Sequence, residues 1–167
     1  MRLDAMLEAS QRKNEFYCSN IFSNLLNSQI SAAEKFTPMD IETLREEALR
    51  LGHVDERMPY GPDCVVFEVG GKQFCLVSLS GEHDFYNLKV DPALGEALRH
   101  RFEGVTPGWH MNKRHWVSVA YEGDVDDATQ RLLLRHAYHR TALGLPKRLL
   151  AQLDLSPDPD AFVPQLD

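Results

Sequence analysis

Between residues 40 and 51 the apolar positions Ile41, Leu44, Ala48 and Leu51 recur at steps of three and four, while Glu42, Arg45, Glu46 and Arg50 fill the opposite side. That period predicts an amphipathic helix, and Gly52 stops it. After a loop holding Pro59, Gly61 and Pro62, the pattern changes to CVVFEV and KQFCLVSL, two β-rich runs separated by Gly70-Gly71. A two-residue hairpin turn needs positive φ, which glycine adopts cheaply, so the pair predicts a β-hairpin. Counting outward from the turn sets Phe67 opposite Phe74 and Val65 opposite Leu76, all on one core-facing side.

Residues 85–90 read as a third strand, after which Asp91-Pro92 opens a short helix through about His100. Beyond a turn at Pro107-Gly108, Trp116, Ser118 and Ala120 alternate with Val117, Val119 and Tyr121, the period of a strand. Asp124 or Asp126 then caps a helix that reaches Leu143 and ends at Gly144 and Pro146. The pattern predicts one α+β domain at 39–148. Residues 149–167, acidic and proline-rich, read as a tail without a core of its own, and residues 1–38, with scattered apolar positions among Ser and Asn, as a partly helical or flexible extension.

The composition fits one globular domain, with 43% hydrophobic and 26% charged residues in 167. No apolar run approaches the roughly 20 residues needed to cross a bilayer, and the N-terminus lacks the layout of a signal peptide, so no membrane is expected and the expected compartment is the cytoplasm. Cys18, Cys64 and Cys75 are scattered and odd in number, which suggests reduced thiols rather than a zinc or redox motif. A formal net charge of −7 opposes indiscriminate coating of nucleic acid, which depends on neutralising phosphates. Its distribution is uneven: nine Lys and Arg (Arg99, Arg101, Lys113, Arg114, Arg131, Arg135, Arg140, Lys147, Arg148) face five acids (Glu103, Glu122, Asp124, Asp126, Asp127) between residues 99 and 148.

Two groups of side chains carry candidate chemistry. On the last helix Arg131, Arg135 and His139 fall at i, i+4 and i+8, a stripe suited to phosphates or, alternatively, an ordinary solvated helix face. Trp109, His110, Asn112, Lys113, Arg114 and His115 gather on one turn, where aromatic, amide and cationic groups together can stack on bases and bond their edges; the alternative is a turn with rim aromatics. His136 and His139 stand three apart on a helix but lack a Cys or carboxylate at ligand spacing, a weak metal signal even with His110 and His115. Ser78, Ser80, Ser118, Cys64 and Cys75 sit in no nucleophile motif, and Gly70-Gly71-Lys72 closes a hairpin rather than opening a phosphate-binding helix. The residues suit binding better than catalysis, so no enzyme activity and no cofactor is expected.

Several motifs, in order, then point to a family: Pro59-Tyr60, Val66-Phe67, Val69-Gly70-Gly71-Lys72 with Phe74, Leu88-Lys89, Asp91-Pro92, the run PGWHMNKRHWVSV, Tyr138, and Leu145-Pro146-Lys147-Arg148. With these the chain resembles the MmcQ/YjbR proteins. The resemblance implies a frataxin-like α+β fold, sometimes called double-wing, in which helices back an antiparallel sheet, and a DNA-binding role. It marks Lys72, Asn112, Lys113, His115 and Trp116 as surface or framework positions. The chain departs from the pattern in Ala137, where a serine commonly precedes the tyrosine, in its 38 additional residues and in its acidity.

Three functional expectations follow. The first is a non-enzymatic DNA-binding or regulatory module that meets double-stranded DNA through Lys113, Arg114, Arg131, Arg135 and the turn from Trp109 to His115. The second is an adaptor that recruits a protein partner through the sheet face and residues 1–38. The third is a frataxin-like metal binder using Asp40, Glu42, Glu46 and Glu47 on the first helix.

Overall fold

The computed structural model describes residues 39–166, so the extension read at 1–38, the partner-docking role given to it, and Cys18 lie outside the described residues. In chain order the elements are α1 (Ile41–Leu49), β1 (Val54–Arg57), β2 (Cys64–Val69), β3 (Lys72–Ser78), β4 (Phe85–Lys89), α2 (Pro92–Arg101), β5 (Val105–Pro107), β6 (Trp116–Ala120), α3 (Asp127–Leu143) and α4 (Lys147–Gln152), with a 3-10 turn at Asp160–Phe162. The class is α+β. All six strands pair antiparallel in the order β1-β2-β3-β4-β6-β5.

Helices α1, α2 and α3 each start where the sequence supplies an acceptor for orphan amides, whereas α4 follows Pro146 without a side-chain cap. Asp40 accepts from Thr43 N at 2.7 Å, Asp91 from Ala93 N at 3.0 Å ahead of Pro92, and Asp126 from Thr129 N at 2.9 Å. Helix α3 lies across β3 and β4, and its Gln130 accepts from the buried Tyr86 hydroxyl at 2.9 Å. Tyr86 and Leu88 therefore face the helices, and strand alternation turns Asn87 and Lys89 to the other side.

The hairpin turn forms at Gly70 (φ +55°) and Gly71 (φ +75°), the conformation expected of it. Its register differs from the simple count. A bulge between Phe67 and Glu68 pairs Phe67 with Cys75 and Val65 with Val77, leaving Phe74 as the additional residue. The bulge aims Phe74 at α3, where its ring meets Tyr138 edge-on at 5.6 Å. Gly70 has a second role: a Cβ there would stand 2.8 Å from Leu145 Cδ1 and 3.0 Å from Leu149 Cδ2, so glycine lets the turn pack against both leucines without pushing them aside.

Strands β1 and β5 have no periodic signature, the first being VDER and the second three residues ending in Pro107. The segment beyond Leu149 also differs from a free tail. Leu149, Leu150, Leu155 and Leu166 pack on the core, and Pro159 and Pro164 are buried. It has no core of its own, as read, but borrows one. Among the described residues no helix is long and apolar enough to cross a membrane.

Candidate functional site

The stripe read on the last helix is not a solvated cationic surface. Arg131 is 1% exposed, its Nε 3.6 Å from Glu47 Oε1, and its Nη1 donates to Asp127 O at 3.3 Å. Arg135 Nη2 stands 3.8 Å from Glu47 Oε2, and His139 accepts from Asp158 N at 3.1 Å with Phe162 stacked on its ring at 4.6 Å. The physical reason is coverage: α1 lies over one side of α3 and the C-terminal segment over another. Glu47, proposed as a metal ligand, is buried as the counter-ion of these arginines, and Glu46 pairs with Arg50 at 3.6 Å. Among the described residues no group of three or more His, Cys, Asp or Glu is placed to hold a metal.

The turn after β5 is kept, but the structure divides it. Gly108 hugs Trp116, since a Cβ at Gly108 would lie 2.7 Å from Trp116 Cβ. Trp109 N donates to Asn87 Oδ1 at 3.2 Å and to Ser118 Oγ at 2.9 Å, and Asn87 Nδ2 donates back to Trp109 O at 3.3 Å. Asn87 and Ser118, each 2% exposed and joined at 2.6 Å, are thus a buried polar latch that fastens the loop over the face of the sheet opposite α3. From there the Trp109 ring runs toward the start of β4, meeting His83 at 4.4 Å, His110 at 3.9 Å and Phe85 at 6.1 Å.

The other limb of the loop goes the opposite way. Asn112 Oδ1 accepts from Arg114 N at 2.9 Å, Lys113 Nζ donates to Gly108 O, and His115 O accepts from Val90 N at 2.9 Å. These bonds bring Asn112 and His115 to the wall of a cleft of about 400 Å³, whose lining also includes Lys89, Trp116, Arg140 and Gly144. Among the described residues no carboxylate lines it. Lys72 reaches its rim by donating to Gly144 O.

Three elements thus send cations to one place: β3 gives Lys72, β4 gives Lys89 and α3 gives Arg140. Burial depresses the pKa of the Lys89 ammonium below the ordinary lysine value, and the nearby charges of Lys72 and Arg140 depress it further. Arg140 is held by Asp91 at 3.4 Å, whereas among the described residues Lys89 meets no carboxylate. Arg114, Lys147 and Arg148 are exposed close by in the chain. The arrangement offers features that suit an anion: several donors, a half-buried positive charge and a wall of apolar surface from Trp116 and Leu143.

Of the ten residues singled out from sequence, the cleft and its rim take Lys72, Asn112 and His115, with Lys113 and Arg114 beside them on the same limb. Trp109 and His110 diverge to the aromatic group, and Arg131, Arg135 and His139 are buried or covered. Lys89 and Arg140 were missed as site residues. They lie 51 positions apart, and the only signal for either was the Leu88-Lys89 pair among the family motifs.

Comparison with known proteins agrees with this core. The family model YjbR matches residues 49–140, from the end of α1 to Arg140. The chain is 37% identical over 107 residues to the uncharacterized protein YbdF of Escherichia coli O157:H7, covering 64% of this chain and 88% of that protein. It is 32% identical over 83 residues to the uncharacterized protein YjbR of Escherichia coli K12, covering 48% and 70%. The crystal structure of Deinococcus radiodurans protein DR2400, described with a DUF419 domain, superposes with a TM-score of 0.67 at 34% identity, over 73% of this chain and 94% of that one. With more than half its length under the family model and a relative of this identity covered almost end to end, the chain belongs to the YjbR family.

Proposed function

We propose that this protein is a DNA-binding module that grips the phosphate backbone at the cationic cleft, with Lys72, Lys89 and Arg140 as charge donors and Arg114, Lys113, Lys147 and Arg148 as a flanking rim. The observation that carries the reading is the convergence of three cations from three elements on a cleft that no carboxylate lines among the described residues, in a chain of net charge −7. Asp91 offsets Arg140 from beside the cleft, which leaves the charges of Lys72 and Lys89 for a phosphate to balance. Contacts of this kind position a duplex without reading its sequence. The reading is of a binding protein rather than an enzyme: the buried Cys75 thiol is pushed far up by desolvation, and the Ser78 and Ser118 hydroxyls meet Ser80 and Asn87 rather than a histidine.

The volume of the cleft favours a second reading. About 400 Å³ suits one phosphorylated small molecule as well as one backbone phosphate. Fluorescence anisotropy with a labelled duplex at low ionic strength separates the two. On the first reading log K falls with log salt at about −0.9 per phosphate contact, and Lys89→Ala lowers the slope by about one contact. No duplex binding at low salt, with inorganic phosphate still raising the melting temperature, would replace it by the second.

A further inference from the structure

The C-terminal segment is fastened to α3 by two imidazoles, and both bonds have a fixed proton requirement. His136, 1% exposed, accepts from Asp91 N through Nε2 at 3.3 Å, so its proton resides on Nδ1, which donates to Pro159 O at 3.0 Å. His139 accepts from Asp158 N through Nδ1 at 3.1 Å, and Phe162 covers its ring. Each ring therefore sits in this structure with an unshared pair pointing at a backbone N–H. A second proton on His139 Nδ1 would set a donor against the Asp158 amide, whereas one on His136 Nε2 would displace the Asp91 amide and leave the Nδ1–Pro159 bond in place, so charge on His136 is opposed by its burial beneath the strap.

We propose that residues 154–166 form a pH-operated strap, clipped over α3 while His136 and His139 are neutral and detached when they take up protons. The neighbours do not reverse this. His136 faces the Pro159 carbonyl and the carboxylates of Asp91 and Asp160, which favour its charged form, and Arg140, which opposes it; His139 faces Asp158, which favours it, and Arg135 and His136, which oppose it. Desolvation is the largest influence on both, and it lowers both pKa values from 6.5. With both values depressed in the closed state, closure is fully favoured above about 6.5 and loses support as pH falls below it. Among the described residues the rest of its hold is the bonds from Asp154 N and Leu155 N back to α4, the Phe162 ring on His139, and the packing of Leu155, Leu166, Pro159 and Pro164. Lifting it uncovers the side of α3 that bears both histidines, and protonation of His136 Nε2 takes the acceptor from the Asp91 amide at the head of α2.

Hydrogen exchange on the full chain tests the proposal. Between about pH 7.5 and about pH 5.5 the amides of Leu155, Asp158 and Phe162 should lose at least tenfold in protection factor while those of Leu88 and Val119 keep theirs. Because closure excludes two protons, the loss should steepen toward a hundredfold per pH unit at most, by roughly tenfold for each group. His139→Gln retains an acceptor for the Asp158 amide but cannot titrate, so it should keep more protection at acid pH and halve the steepness. Unchanged strap protection across the range overturns the proposal. So does simultaneous loss at Leu88 and Val119, which would mean global acid unfolding, and so does a His139→Gln profile that overlays the wild type.

Discussion

The two ends of the central strands carry opposite charge, and the helices explain why. At the end where β3 and β6 stop and β4 begins, a hollow of about 800 Å³ is lined by Asp40, Asp84, Glu122, Asp126 and Asp127. At the other end stand Lys72, Lys89 and Arg140. Both α1 and α3 begin at the acidic end, where their first amides need acceptors; α3 finishes at the cationic end, where its last carbonyls need donors. The difference lies in how completely each demand is met. Asp40 and Asp126 cap their helices, and Asp127 accepts from Met39 N at 3.0 Å, so these acids are accounted for structurally. At the cationic end Lys72 serves Gly144 O and Arg140 serves Asp91, but Lys89 has no such task within the described residues. A charge surplus left over after capping is the better guide to a ligand than charge itself.

Reversing charge should break this comparison most visibly. Lys89→Glu with Arg140→Glu is expected to lower duplex affinity at least about 100-fold at low salt, from loss of two contacts and gain of two repulsions. Circular dichroism should confirm that the fold persists. Asp126→Ala at the acidic end should instead cost stability, about 1 kcal/mol from the lost α3 cap in a denaturant titration, with affinity unchanged. A smaller effect concerns pH. The depressed Lys89 pKa means that binding should weaken as pH rises toward the alkaline range, before an ordinary lysine would discharge, and Lys89→Arg should remove that decline. Smallest of all, Asp84→Asn should leave affinity within about twofold, a change of a few tenths of a kcal/mol. A large loss there would show that the acidic end takes part in binding.

Local periodicity made much of the fold legible. The spacing of Ile41, Leu44 and Ala48, the Gly70-Gly71 turn, the Asp91-Pro92 start and the alternation from Trp116 each encode their element within a few residues. The bulge at Phe67 was hidden, because pairing count alone treats Phe74 as one rung of a regular ladder. The strap was hidden for a related reason: its apolar residues are few, and its fasteners lie 19 and 23 positions away on α3. The arginine stripe misled because helical spacing tells which residues share a face and not what covers that face. Glu47 sits 84 residues before Arg131, and no local pattern reveals that they meet. The candidate site was half legible, its loop residues standing in one motif while Lys89 and Arg140 depended on strand and helix ends meeting in space.

The two outermost strands have a consequence for how copies of this protein behave together. β1 sets Asp55, Glu56 and Arg57 along one flank of the sheet, with Glu56 tied to Arg45 at 2.7 Å, and β5 offers three residues before a proline that has no amide hydrogen to give. Neither flank is a usable template for an incoming strand. Concentrated samples should therefore resist ribbon-like aggregation.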